Sequence, residues 1–127
     1  MTEERTHPSP QQLALFHSMA VLQERWVLFI LWQLLEADGP MGFNELTRRA
    51  PVNATTLATR LDLLEREGMV SRTVHSTIPP KTSYALTEKG QALGPVFQAI
   101  RRWAEAFPPS PDHPPDCGTE ELGKGKL

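Results

Sequence analysis

The amino-acid sequence predicts a mainly helical domain with a small β-hairpin, and three observations predict it. Apolar residues recur at helical spacing through residues 11–37, 43–67 and 93–107. At Met69 the period changes from that of a helix to the alternation of a strand. Between these stretches stand chain breakers, Asp38-Gly39-Pro40, Pro51, Gly68 and Pro79-Pro80, which mark where one element gives way to the next.

Leu13, Phe16, Ala20 and Val21 give a first amphipathic helix over Gln11 to Gln23. A second runs from Arg25 to Ala37. Its residues Trp26 to Trp32, Leu34 and Leu35 are apolar nearly all round, so it is expected at the centre of the core. Gly39 and Pro40 stop it. Phe43, Leu46 and Ala50 then mark a short helix ended by Pro51, and Asn53 is a good N-cap for a further helix running to Glu67. On that helix Leu57, Leu61 and Leu64 form a narrow stripe, with Thr55, Thr59, Asp62 and Arg66 on the opposite face.

Val70, Arg72, Val74 and Ser76 alternate with Ser71, Thr73 and His75 in a strand over Met69 to Ser76, and a second strand is expected at Thr82 to Leu86. The loop between them, Thr77 to Lys81, is stiffened by two prolines and places Lys81 at its tip. Thr87 caps a final helix carrying Leu93, Val96, Phe97, Ile100, Ala104 and Phe107 on one face, which Gly94-Pro95 should kink or divide. The resulting order is that of a winged helix-turn-helix. The fold expected is one such domain over 11–107, between a flexible N-terminal arm, 1–10, and a disordered Pro-rich tail, 108–127.

Length allows a single domain with a modest core. The longest apolar stretch is too short to span a membrane, the N-terminus does not resemble a signal peptide, and the one cysteine, Cys117, forms no internal disulfide, so a cytoplasmic protein is expected. The net charge of −2 argues mildly against a nucleic-acid binder, but the tail supplies the whole deficit and the rest is neutral.

The helix from Asn53 to Glu67 carries the chemistry. Asn53, Thr55, Thr56, Thr59 and Arg60 offer hydroxyls, an amide and a guanidinium, and its carboxylates come only in the second half. In a winged helix-turn-helix this helix crosses the major groove of double-stranded DNA, where Thr bonds base edges or meets the thymine methyl and Arg binds guanine or a phosphate. Arg48, Arg49, Arg72, His75 and Lys81 flank it as candidate phosphate or minor-groove contacts. A solvated polar face is the alternative. Dimerisation is expected independently, because so small a domain cannot bury Leu13, Phe16, Val21, Phe97, Ile100, Trp103 and Phe107 together with the second helix.

The runs ERWVLFILWQLL, GFNELTRRAPVNATTLATRLDLLEREGMVSRTV and IPPKTSYALTEKGQAL resemble those of the HxlR-type bacterial regulators, related to the MarR group, over about residues 11–105. The resemblance implies a homodimer joined through its first and last helices, on a pseudo-palindromic operator. The expected interface residues are Leu13, Phe16, His17, Ala20, Phe97, Ile100 and Trp103. It also implies DNA contacts at Thr55, Thr56, Thr59, Arg60 and Lys81. Many members of the family it resembles that sense oxidants or electrophiles carry a cysteine just ahead of the first helix. This chain has HPSPQQLALF there, so a thiol switch of that kind is not expected.

The four histidines are scattered without ligand spacing, no nucleophile with its base can be assembled, and no Gly-rich phosphate loop occurs, so neither a metal, a cofactor nor an enzyme is expected. Trp26, Trp32 and Trp103 are read as packing residues rather than an effector pocket, which leaves any small-molecule effector unidentified. The competing functional reading is a winged-helix module that binds protein without DNA.

Overall fold

The computed structural model describes residues 7–112 of the 127. Residues 1–6 of the arm and 113–127 of the tail, Cys117 among them, lie outside the described residues. Helix α1 spans Pro10–Leu22 and begins one residue earlier than the apolar pattern indicated, because Ser9 and Gln12 form a capping box. The Ser9 hydroxyl accepts from the Gln12 amide at 3.1 Å, the Gln12 carboxamide accepts from the Ser9 amide at 2.8 Å, and Pro10 takes the first helical position. From Pro10 to Ala20 every residue is exposed; only Val21 and Leu22, in the last turn, seat on the body.

The second helix starts later than expected. Arg25 and Trp26 form a corner, with Trp26 at φ 76°, and α2 spans Val27–Glu36. A bulky residue in left-handed geometry is strained by roughly 1–2 kcal/mol, so its surroundings must hold it there. Its indole packs edge-on against Phe29 with centroids 6.1 Å apart, and the Arg25 guanidinium lies 5.0 Å from the ring centroid. Val27, Ile30, Leu31 and Leu34 of α2 are buried and form the centre of the core.

A two-residue strand β1, Met41–Gly42, follows the Gly39-Pro40 break and leads into α3, Phe43–Arg49. Its brevity gave no alternation to detect, but Met41 is buried and β1 forms one edge of the sheet. Helix α4 spans Ala54–Arg66, and Gly68 at φ 77° turns the chain into β2, Val70–His75. Strand β3 covers Lys81–Leu86, and the order is β1-β3-β2, antiparallel throughout. Of β2 only Val70 is buried, so the expected alternation does not become an inside and an outside. The hairpin projects from the body as a wing.

The last helical stretch is divided in two. Thr87 caps a single turn, α5 (Glu88–Gln91), its hydroxyl accepting from the Gly90 amide at 3.2 Å, and Pro95 lies in the first turn of α6 (Gly94–Ala106). Gly90 is buried where α5 crosses the base of the wing. An added Cβ there would run into the Met69 carbonyl oxygen and lie 2.9 Å from Leu86 Cδ2. Gly90→Ala should therefore cost about 1–3 kcal/mol or more in chemical denaturation; wild-type stability would show that α5 does not pack there.

Candidate nucleic-acid interface

The short helix α3 ends where Ala50 turns extended, and buried Pro51 prevents its continuation. Two residues later the Asn53 side chain accepts from the Thr56 amide at 2.8 Å and starts α4. Leu57, Leu61 and Leu64 bury completely against α2 and the sheet. At 100° per residue, that stripe turns Thr55 and Thr59 directly outward, and both are exposed. The Thr59 hydroxyl donates to the Thr55 carbonyl at 3.0 Å and keeps its acceptor capacity, while the Thr55 hydroxyl makes no hydrogen bond among the described residues. Thr56 is half-buried on the flank. The first outward carboxylate, Asp62, comes a turn beyond Thr59 and is paired with Arg66 at 3.1 Å.

Arg60 behaves differently from its neighbours. Its Nε donates to the Arg25 carbonyl at 2.7 Å, so the side chain is turned back to the α1–α2 corner instead of pointing out with the threonines. Arg48 is exposed and makes no ion pair among the described residues, whereas Arg49 lies 3.4 Å from Glu45. His75 bonds the Ser83 hydroxyl at 2.9 Å. Lys81 is not at the loop tip: it opens β3 directly opposite His75, and the tip belongs to Thr77–Pro80 with Ile78 fully exposed. An open cleft of about 440 Å³ separates Lys81 and Pro80 from Phe43, Asn44 and Glu45 at the start of α3, so the wing and the short helix face one another.

The residues expected at a subunit interface are largely uncovered in the single chain. Leu13, Phe16 and Ala20 are exposed on α1, and Ile100 and Trp103 on α6, with Trp103 at 65%. Trp103 is thus no core residue, while Trp26 and Trp32 are half-buried. Phe97 is half-buried against the core. Leu15 and Met19, one turn apart on α1, Val96 on α6 and Phe107 at its C-cap are exposed large apolar residues as well. Leu15 and Met19 were outside the Leu13–Phe16–Ala20 stripe, though their i, i+4 spacing was itself a signal.

His17 is partly turned from that surface. Its Nε2 lies 2.9 Å from Glu67 Oε1, at the C-terminal cap of α4. This bond, and secondarily the nearby cations Lys89 and Arg66, hold the Glu67 carboxyl below its ordinary range. A depressed carboxylate contributes stability above its unfolded-state value, and loses it as pH falls through the lowered one. In His17→Ala the Glu67 carboxyl should titrate at higher pH by carbon-detected NMR; an unchanged midpoint would mean that the two do not interact in solution.

No group of metal-binding residues occurs among the described residues, and no single helix there is long and apolar enough to cross a membrane.

A short helix, a tight turn, a helix with an outward threonine face and an antiparallel hairpin define a winged helix-turn-helix protein. The chain belongs to the HxlR-like helix-turn-helix family, whose model matches residues 21–111. It is 41% identical over 91 residues to the HTH-type transcriptional regulator YodB of Bacillus subtilis, covering 71% of this chain and 80% of that one. The structure of reduced YodB superposes at TM-score 0.65 with 38% identity, over 80% of this chain and 96% of YodB. A MarR-family structure from Porphyromonas gingivalis W83 superposes at TM-score 0.68; at 22% identity, over 80% and 99% of the chains, it shows the fold alone. The relatives are regulators of transcription, and the chain is not an enzyme.

Proposed function

We propose that this chain binds double-stranded DNA sequence-specifically as a homodimer on a pseudo-palindromic operator and represses transcription. The observation that carries the reading is the outward pair Thr55 and Thr59 on two carboxylate-free turns of α4, held there by three buried leucines. A phosphate-lined groove admits such a surface without charge repulsion. Asn53 and Thr56 would flank the base contacts, Arg48 and Lys81 would take phosphates, and His75 would brace the wing beside Lys81. Arg60, bonded to the Arg25 carbonyl, would orient the reading helix in this scheme rather than read a base.

The exposed apolar residues of α1 and α6 support a second copy as partner, since so many large apolar side chains on two helices are rarely all left wet. A two-fold pair presents its reading helices about 34 Å apart, one turn of duplex. With one surface given to DNA and another to the second copy, so small a protein acts most simply by excluding others from the operator, hence repression.

Retardation of a promoter fragment from upstream of its own gene tests the reading. The affinity should fall with salt by about 0.9 log units per log unit for each phosphate neutralised. Lys81→Ala should weaken all sequences alike and make that slope shallower by about 0.9 per protomer. No retardation of any genomic fragment at low salt would favour a protein-binding module instead, and a silent Lys81→Ala would remove the wing from the contact set.

A further inference from the structure

Among the described residues, helix α1 is seated on the body by its last turn and carries one long-range side-chain bond, from His17. Ten consecutive residues from Gln11 to Ala20 are exposed, while Val21 is buried and Leu22 packs against the core. A helix of 13 residues is about 20 Å long, so a tilt of about 10° about that seat moves its far end by about 3 Å. The rise of one base pair is about 3.4 Å. Seating α1 by its last turn alone would therefore leave its direction uncertain by nearly a base-pair step.

The second attachment removes that freedom. His17 lies four residues before Val21, so the bond from its Nε2 to Glu67 Oε1 at 2.9 Å acts about one turn along the lever. Its partner stands at a junction. The Glu67 amide closes α4 by donating to the Leu63 carbonyl at 2.9 Å, and the Glu67 carbonyl accepts from Lys89 Nζ of α5 at 2.8 Å. Just beyond the C-terminal end of α1 the corner residue Arg25 presents its carbonyl to Arg60 of α4 at 2.7 Å. The reading helix is thus tied to α1 at its C-terminal cap and to the corner behind α1 at its middle, through pairs 50 and 35 residues apart in sequence.

We infer that His17 and Glu67 are positioning residues which fix the angle between α1 and α4 and so set the operator half-site spacing that the dimer accepts. The inference rests on the proposed function, in which α1 joins the two copies and α4 reads the duplex. A side-chain pair this exposed adds little to folding. Its effect lies in choosing one of several nearly equal tilts, each of which would place the second reading helix differently along the groove. Sequence periodicity put His17 on the interface face of the first helix but could not show its bond to Glu67, because a separation of 50 residues carries no local signal.

The test uses the full chain and the duplex it protects on the promoter fragment upstream of its own gene. Versions with one base pair added or removed at the dyad, and an isolated half-site, are compared by fluorescence anisotropy. Wild-type protein should prefer the natural spacing. Glu67→Ala should reduce that preference about three- to tenfold, a size set by two exposed pairs per dimer, with half-site affinity unchanged. His17→Ala should do the same, and the double variant no more than either alone. His17→Gln, whose carboxamide can still donate to Glu67, should retain most of the preference. Sedimentation and thermal unfolding confirm that each variant stays folded and dimeric. Variants that keep the wild-type preference, or lose affinity equally on every duplex including the half-site, overturn the inference. If wild-type protein binds none of the duplexes, or binds as a monomer, the proposed function falls first, and that outcome is read from wild type alone.

Discussion

Thr55→Glu combined with Thr59→Glu should abolish operator retardation, lowering affinity about 100-fold or more, while stability stays within about 0.5 kcal/mol of wild type. The two effects separate because the same charges act on different partners. Thr55 lies in the first turn of α4 and Thr59 in the second, both exposed, and no carboxylate precedes them on the helix. Acidic groups near a helix N-terminus complement the helix dipole, so folding is indifferent or slightly favoured. Against DNA the same carboxylates would face phosphates across a narrow gap, where like charges cost several kcal/mol. Wild-type affinity in this variant would place the duplex elsewhere on the molecule; a parallel loss of stability would make the threonines structural.

Leu57→Ala should cost about 2–5 kcal/mol in chemical denaturation, a large part of the roughly 5–15 kcal/mol that holds a domain of this kind. Leu57 is fully buried in the cluster with Ile30, Leu31, Leu61 and Leu64. It sits in the first half of α4, between the two outward threonines in sequence, so its packing decides which way they point. Truncation leaves a cavity that the neighbouring leucines can fill only in part. A loss below about 1 kcal/mol would mean that the stripe bears little of the packing and that the outward aim of Thr55 and Thr59 is not fixed by it.

The helices and the wing were legible because each carried a local signal. The leucine stripe at 57, 61 and 64 with its Asn53 cap gave α4 to within a residue, and the change of period at Met69 gave the hairpin. What escaped depends on contacts across the fold. The strand Met41–Gly42 is too short for alternation and exists because Tyr84 and Ser83 of β3 pair with it. The left-handed Trp26 looked helical, since the apolar run that follows it continues the pattern, and the corner is held by contacts with Phe29, Arg25 and Arg60 that the pattern does not show. At the candidate site the threonine face followed from spacing. The inward turn of Arg60 did not, because a cation on a polar face gives no hint that a carbonyl 35 residues earlier will take it. Lys81 was placed one step too far out for a similar reason: the strand begins at Lys81, where pairing with His75 closes the ladder.

The most direct measurement is the amide NMR spectrum of the protein titrated with the duplex it protects. The largest shifts should fall on residues 53–59 of the reading helix, with smaller ones at Arg48 and Lys81, and none of comparable size along the exposed apolar face of α6. Shifts that leave residues 53–59 unmoved while other surfaces respond would contradict the account.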